Sequence, residues 1–431
     1  MKKSKLLIGA PTSGTGKTTF TIGLLRALKN RQINVQAFKC GPDYIDTKYH
    51  SVAANKPSIN LDIFMSSKPH VQEVFMDYSS QSDISVIEGV MGLFDGAVKM
   101  QGSSAEIAEI TDTKVLLIVN AKAVAYSVAP LLYGFKNFYK NIDIVGVVFN
   151  KVSSESHYSF LLDACEDVGI ESLGYIPNNS EFIIESRHLG LKIDNESSFD
   201  NFANCIANQL EKTVNIDRLI DLYSYESEEY ERVDIIHDKK LSIGIAKDDA
   251  FNFTYYENIK ELNKIGEISY FSPLEDNTIP DVDILYIVGG YPELYLEKLS
   301  NNTNMLDSIY NFYKNGGKII AECGGMMYMC NNIISKEGKN YPMLGILDQD
   351  ASMQNMKLHL GYRKIFISDK EYRGHEFHYS HIVNSKEEPS SAVIKSARNK
   401  ELPTYIFRKN NLIASYIHFY WGINDIRNLW E

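Results

Sequence analysis

The sequence predicts an α/β protein made of two doubly wound parallel-sheet domains, over residues 1–232 and 240–431. Three observations carry this. Short apolar runs alternate with helical patterns through most of the chain, as buried parallel strands joined by crossover helices do. The first run, Leu6-Leu7-Ile8, enters the Gly-rich turn Gly9-Ala10-Pro11-Thr12-Ser13-Gly14-Thr15-Gly16-Lys17-Thr18-Thr19, which continues into a helical pattern through Leu28. Between the halves, Glu226, Glu228, Glu229, Glu231 and Asp234 stand against Arg232 alone, an aperiodic acidic run of the kind a solvated linker has. The boundary is placed at 232–240, and no internal repeat interrupts either half.

The turn after Ile8 is an anion cradle. Backbone N–H groups freed at Gly14 and Gly16 join a helix N-terminus; Lys17 can reach β/γ-phosphates, Thr18 can sit on Mg²⁺, and Thr19 completes the ATP-binding set. Pro11 stands where the strict phosphate-loop pattern has its first glycine. The next strand, Val35–Lys39, ends in Cys40-Gly41-Pro42-Asp43-Tyr44-Ile45-Asp46, two carboxylates at a strand's C-terminal end, where such sheets bind ligands. The alternative for Asp43 and Asp46 is a capped turn. Ile84–Ile87 leads into Glu88-Gly89-Val90-Met91-Gly92-Leu93-Phe94-Asp95-Gly96. An acidic residue directly after a buried strand is placed to hold Mg²⁺ or a catalytic water, which makes Glu88 the metal-associated residue. Asp95 is either functional or a loop cap.

Ser103 reads as an N-cap. Val115–Val119 and Ile144–Phe149 are further buried strands, and Asn150-Lys151 follows the second, where related folds read the nucleotide base. Gly174–Pro177 closes a short strand. Ser186-Arg187-His188-Leu189-Gly190-Leu191-Lys192 supplies local positive charge, as an anion clamp or as an ordinary helix edge. Residues Asn201–Tyr230 are expected to be amphipathic helix running into the acidic stretch.

Strand signals restart at Leu241–Ala246. The chemical centre of this half is Lys318-Ile319-Ile320-Ala321-Glu322-Cys323-Gly324-Gly325-Met326-Met327-Tyr328, a buried strand that turns at Cys323 into a helix expected to carry Cys330 as well. This is the geometry of a nucleophile elbow. The helix N-terminus is expected to favour thiolate, and the Gly324 N–H is available to an oxyanion. Ile287-Val288-Gly289-Gly290-Tyr291-Pro292-Glu293 offers Gly290 as a second oxyanion donor. His418, ending a late strand, is the expected general base. Gly374-His375-Glu376-Phe377-His378-Tyr379 is denser in histidine but sits mid-domain, in a structural or substrate-facing place.

Composition excludes other classes. The net charge of −11 opposes nucleic acid and anionic membranes, so an anionic substrate needs a local basic cluster. No apolar run approaches membrane-spanning length, and Met1-Lys2-Lys3 leads straight into a strand rather than a signal peptide. Five scattered cysteines without zinc spacing fit a reducing cytoplasm.

Together these motifs resemble the cobyrinic acid a,c-diamide synthase family of glutamine-dependent amidotransferases, along nearly the whole chain. The resemblance rests on Ala10–Thr19, Lys39–Asp46, Asn60-Leu61-Asp62, Glu88–Gly96, Arg187–Leu191, Phe251-Asn252-Phe253, Gly289–Glu293, Ala321–Gly325, Gly374–Ser380 and Ser415–His418. It implies an N-terminal half similar to dethiobiotin synthetase and a C-terminal half similar to triad-type, class I glutamine amidotransferases. It implies that ATP with Mg²⁺ phosphorylates the a- and c-acetate carboxylates of a corrinoid, and that glutamine supplies ammonia through a thioester on Cys323. By the same resemblance Asp43 and Asp46 handle metal and intermediate, Tyr44 and Ile45 touch substrate, and Asp95 follows the phosphorylated intermediate; the net charge of −11 makes Arg187 the expected member of a local basic cluster holding the anionic substrate. Cobyrinate, hydrogenobyrinate and nickel-sirohydrochlorin all remain open as that tetrapyrrole. From another class, a phosphate-loop ATPase switch with an inert second domain is disfavoured by the intact Cys323 and His418. A homodimer is compatible with the sequence.

Two positions depart from the family's pattern. Thr47 replaces the usual proline after the aspartate, which is expected to loosen that turn. His418-Phe419-Tyr420 lacks both the family's usual second histidine and the Glu that triad amidotransferases carry two residues after the His. A Cys–His dyad without a carboxylate orienter is therefore expected.

Overall fold

The computed structural model describes residues 2–182, 196–226, 241–367 and 369–430. Two compact units divide the chain, Met1–Ile63 with Ser67–Val233, and Phe64–Ser66 with Asp234–Glu431. No helix among the described residues is long and apolar enough to cross a membrane.

In the first unit the strands are β1 (Lys2–Gly9), β2 (Val35–Cys40), β3 (Ile59–Leu61), β4 (Ile84–Glu88), β5 (Lys114–Asn120), β6 (Ile144–Val152), β7 (Glu171–Pro177) and β8 (Ser224–Glu226). The helices are α1 (Lys17–Asn30), α2 (Ile45–Ala54), α3 (Lys68–Ser79), α4 (Ser104–Ile110), α5 (Ala129–Phe138), α6 (Glu155–Val168), α7 (Glu196–Thr213) and α8 (Ile216–Leu222). The strands order as β3-β2-β4-β1-β5-β6-β7, all parallel, and β8 pairs antiparallel with the start of β1. Alternation along β1 explains its central place. Leu6 and Ile8 enter one apolar layer with Phe20 and Leu24 of α1, while Leu7 enters the opposite layer with Phe38, Ile87 and Leu117. Ser103 caps α4, accepting the Glu106 N–H.

The single helix expected from Asn201 onward is corrected. The chain forms α7, then α8 capped by Asn215, then β8. The remaining residues of that stretch, the 232–240 boundary and the Ser186–Lys192 segment with Arg187 lie outside the described residues.

The second unit contains β9 (Leu241–Ala246), α9 (Tyr256–Ile265), β10 (Gly266–Phe271), β11 (Ile284–Ile287), α10 (Leu296–Asn301), α11 (Thr303–Lys314), β12 (Lys318–Glu322) and α12 (Gly324–Met329). It continues through β13 (Cys330–Ile334), β14 (Asn340–Pro342), β15 (Leu347–Ser352), β16 (His359–Ile367), β17 (Lys370–His378), β18 (His381–Val383), β19 (Val393–Ser396), β20 (Ile406–Lys409), β21 (Leu412–Ser415) and β22 (Ile417–Phe419). The main sheet runs β10-β9-β11-β12-β21-β20, parallel except for the edge strand β20. Two four-stranded sheets, β14-β13-β15-β18 and β19-β16-β17-β22, are added to it. The histidine-rich segment lies on β17, in the long β16/β17 hairpin. Cys323 and Cys330 do not share a helix: α12 is bounded by them, and Cys330 opens β13.

The helix that carries the phosphate loop is anchored by a buried cation. Arg26 of α1 donates to the Val52 and Ala53 carbonyls of α2 and lies 2.5 Å from the Asp200 carboxylate of α7. Asp200→Ala leaves that guanidinium without its counter-charge and is expected to cost about 1–3 kcal/mol, the partly exposed carboxylate limiting the loss. Asp221→Ala, which breaks exposed pairs with Lys2 and Arg218, is expected to change stability far less. Urea denaturation of the two variants checks the contrast.

Candidate active sites

In the first unit, Ile8, Lys39 and Glu88 stand level on β1, β2 and β4, at the C-terminal edge of the sheet. The phosphate loop crosses this edge into α1 through Gly16, whose φ of +100° is left-handed. A cleft of about 650 Å³ opens there, lined by Gly14, Gly16, Lys17, Thr18 and Thr19 of the loop and by Lys39, Asp43, Asp46, Glu88 and Asn150. The Thr18 hydroxyl donates to Glu88 Oε1 at 2.8 Å and lies 3.4 Å from Asp46 Oδ2. Lys39 Nζ is 3.6 Å from Asp46 and 3.8 Å from Glu88, and it donates to the Gly89 carbonyl. His50 Nε2 is 2.7 Å from the other Glu88 oxygen.

These groups are almost wholly buried. Burial opposes the Glu88 carboxylate, but Lys39, His50 and the Thr18 hydroxyl hold its pKa well below the usual carboxylate range. Burial likewise opposes the Lys39 ammonium, and Glu88 and Asp46 hold its pKa above the usual lysine value. The Thr18 hydroxyl meets a carboxylate oxygen of both Asp46 and Glu88, a set of hard donors that fits Mg²⁺.

The other expected residues separate into distinct roles. Asp43 lines the cleft, but its Oδ1 accepts the Ile45 and Asp46 N–H groups; it caps α2, and Asp46 is the carboxylate that reaches Thr18. Tyr44 and Ile45 begin that helix. Lys17 Nζ donates to the Met91 carbonyl, and Thr19 lies 3.4 Å from the Phe182 carbonyl. Asn150 braces the loop: its Nδ2 donates to Thr15 O at 2.7 Å while its Oδ1 accepts Lys151 N–H. Its amide packs so tightly on Gly16 that a Cβ there would collide with it. Asp95 is exposed, lies outside the cleft lining, and accepts the Gly92 N–H of its own loop. Lys39 and His50 were not anticipated. A lysine ending an otherwise apolar strand is a usable signal; His50, mid-helix, shows its purpose only through its contact with Glu88.

In the second unit, Cys323 occupies the sharp turn from β12 into α12 with φ +48° and ψ −107°, a conformation costly for a residue with a side chain. The Cys323 N–H donates to the Ser415 carbonyl at 2.7 Å, tying the elbow to β21 three residues before His418. The Gly324 N–H is near enough to the sulfur to favour its thiolate form, and the backbone of Gly290 packs against Gly324. The two expected oxyanion donors are thus adjacent. Sγ also lies 3.6 Å from the Phe377 carbonyl.

His418 sits on β22, opposite His375 of β17. Asn258 of α9 clamps the segment, donating to Phe419 O and accepting the Trp421 N–H. Gly289 runs directly beneath the imidazole, and a Cβ there would strike Cε1. Burial, then His375 and His378, pull the His418 pKa down to about 3, so the ring is a neutral base.

Two expectations are corrected here. Burial pushes the Cys323 thiol well above its usual pKa, outweighing the Gly324 N–H; a six-residue helix gives little dipole to oppose desolvation. The resting pair is therefore neutral thiol and neutral imidazole. In addition, Tyr420 supplies no carboxylate, yet Glu322 Oε2 lies 3.9 Å from His418 Nδ1, and both side chains are buried. Burial pushes the Glu322 carboxyl up to about 8. Glu322, directly before the nucleophile in an apolar strand, was legible as an anomaly but not as a neighbour of His418.

The histidine-rich strand is a closed polar network. Glu376 lies 2.5 Å from Arg363, accepts the Thr404 hydroxyl at 2.8 Å and lies 2.8 Å from His378 Nε2. His378 Nδ1 lies 2.8 Å from Ser380 O, and its ring stacks on Tyr416. His359, Glu376 and His378 could converge on a metal by distance, but Arg363 and these bonds already occupy the Glu376 and His378 donors.

Known proteins match both units. Residues 6–191 match the CobQ/CobB/MinD/ParA nucleotide binding domain, and residues 242–425 match the CobB/CobQ-like glutamine amidotransferase domain. The cobyrinate a,c-diamide synthase of Picrophilus torridus is 40% identical over 98% of this chain and 97% of its own length. That of Methanocaldococcus jannaschii is 38% identical over 97% and 96%, and that of Saccharolobus solfataricus 36% over 98% and 99%. On the strength of this full-length similarity, the chain belongs to the cobyrinate a,c-diamide synthase family.

Proposed function

We propose that the chain is an ATP-dependent, glutamine-hydrolysing ligase that amidates the a- and c-acetate carboxylates of cobyrinate, one after the other, through acyl phosphates. The observation that carries this reading is the presence, in one chain, of a charge-lined phosphate-loop cleft and a strained Cys323 elbow whose preceding residue, Glu322, lies against His418. A carboxylate is a poor electrophile. Its oxygen attacks the γ-phosphorus, the bond to ADP breaks, and the resulting acyl phosphate gives ammonia a carbon it can attack and phosphate as a leaving group. Phosphoryl transfer is mainly positioning and charge neutralisation. Lys17 and Lys39 supply fixed positive charge, and Glu88 and Asp46 keep Lys39 an ammonium. Thr18, Asp46 and Glu88 would hold Mg²⁺, whose charge when bound offsets that of the phosphates. Arg187 is assigned to the anionic substrate, and the reliance on ATP and glutamine fits the cytoplasm.

At the second site the Cys323 proton passes to His418 as sulfur attacks the glutamine carboxamide, and the N–H groups of Gly324 and Gly290 receive the oxyanion. Return of that proton releases ammonia and leaves a thioester for water to open.

Incubation with ATP, glutamine and, separately, cobyrinate, hydrogenobyrinate and nickel-sirohydrochlorin tests the substrate. Mass spectrometry should show two carboxyls converted to amides on cobyrinate; conversion of another tetrapyrrole alone, or of none, rejects the assignment. Cys323→Ala should abolish glutamine-driven amidation and spare amidation driven by ammonium, whereas loss of both would make Cys323 structural. Glu88→Gln should slow amidation by on the order of 10²-fold or more with either nitrogen source; an unchanged ammonium-driven rate counts against its role. Gly289→Ala, by displacing the His418 ring, should cost glutaminase kcat about 10²-fold while the ammonium-driven rate stays at the wild-type value.

A further inference from the structure

We propose that Glu322 is the positioning carboxyl of the glutaminase centre, holding the His418 imidazole by Nδ1 so that Nε2 serves the Cys323 thiol. The proposal rests on the reading of Cys323 and His418 as a glutamine-hydrolysing pair. It starts from an absence in the sequence: position 420, from which a Glu would orient the ring, is Tyr420, whose ring packs edge-on against Tyr255. Glu322 comes to the same imidazole from another strand. Its Oε1 accepts the N–H of Phe419, the residue after His418, at 3.2 Å, while its Oε2 lies 3.9 Å from Nδ1. The carboxyl therefore spans the histidine from the backbone beyond it to the ring.

The position is overdetermined. Glu322 ends β12, level with Ser415 of β21, and the chain needs three more residues to bring His418 alongside. Asn258 fixes the strand on either side, and Gly289 confines the ring at its Cε1 edge. At 3.9 Å the contact is longer than a hydrogen bond and becomes one only as Nδ1 and Oε2 approach during the reaction. The titratable groups around the pair are Tyr286 of β11, Cys323 at the elbow with Glu293 near its sulfur, and His375, Glu376 and His378 of β17. Glu376 is already committed to Arg363 and Thr404, which leaves Glu322 as the carboxyl placed to answer positive charge on the ring.

That charge arises once per turnover. As the Sγ–C bond forms and the carboxamide π pair moves to oxygen, the thiol proton passes to His418 Nε2. Glu322, ionised above pH about 8, accepts the Nδ1–H of the imidazolium so formed at Oε2. When the C–N bond breaks, the Nε2 proton leaves with ammonia and the ring returns to neutral. A buried imidazolium with no counter-charge would raise the barrier, and a ring of the wrong tautomer could not accept the proton at all.

The full-length Glu322→Gln variant tests this by steady-state glutamine hydrolysis and ammonium-driven amidation. The expected result is a loss of glutaminase kcat on the order of 10²–10⁴-fold, with the KM for glutamine within about twofold and the ammonium-driven rate unchanged. Wild-type kcat in the variant overturns the proposal. Nitrogen-15 NMR of the histidines in the wild-type protein supplies a measurement that needs no variant. Above pH about 8, where Glu322 is ionised, His418 is expected as the Nδ1–H tautomer, and the Nε2–H tautomer there overturns the assignment even if Glu322→Gln does not fold. Absence of glutaminase activity in the wild type rejects the reading of the pair as a hydrolytic centre, while the tautomer still decides the placement of Glu322.

Discussion

The ammonium of Lys39, held out of water between Asp46 and Glu88, is the interaction on which the first unit depends. A lone buried charge costs several kcal/mol, so each member of this cluster is tolerable only because of the others. Strand register brings them together, since Lys39 and Glu88 are direct partners on β2 and β4, while α2 delivers Asp46 and His50 from above the same edge. The phosphate loop then closes the cluster through the Thr18 hydroxyl. The site is thus charged and compensated before any nucleotide arrives, the pre-organisation that electrostatic stabilisation of phosphoryl transfer requires.

The second unit meets the same desolvation cost in the opposite way. There burial lowers the His418 pKa and raises that of the Cys323 thiol, so that the reacting pair rests neutral. A neutral thiol is a weak nucleophile, and the centre gains reactivity only as the proton moves. Charge that is permanent in the first unit is transient in the second. The difference follows from the chemistry: a nucleotide brings fixed negative charge, whereas a neutral carboxamide develops charge only as it reacts.

Much of this was legible in the sequence where the determinant is local. The phosphate loop, the buried strands of the first unit, the Ser103 cap and the Cys323 elbow are each written in consecutive residues, and His418 followed from its strand. What escaped depends on residues brought together by register. Lys39 acquires meaning from Glu88, His50 from the same carboxylate, Glu322 from a histidine nearly a hundred positions away. The antiparallel sheet around β16 and β17 escaped because its half-exposed alternation does not resemble the apolar runs that mark parallel strands. Asn150 lines the cleft, but its amide is committed to the loop carbonyl of Thr15, a contact no spacing reveals.

The two departures from the family's pattern show how such losses are absorbed. Proline at position 47 would stiffen the turn that presents Asp43 and Asp46. Thr47 instead returns its hydroxyl to the carbonyls of Asp43 and Tyr44, at 3.2 and 3.0 Å, while Asp43 caps the same helix, so the turn is tied by hydrogen bonds rather than by a ring. The expected loosening does not follow, because a first helical turn can be closed from either side of its N-terminus. At the second site Tyr420 removes one source of a carboxyl, and β12 brings Glu322 to the other flank of the histidine. In both places the function of the missing residue is a geometric constraint rather than a particular side chain. A constraint can be met from any element that the sheet carries to the same point.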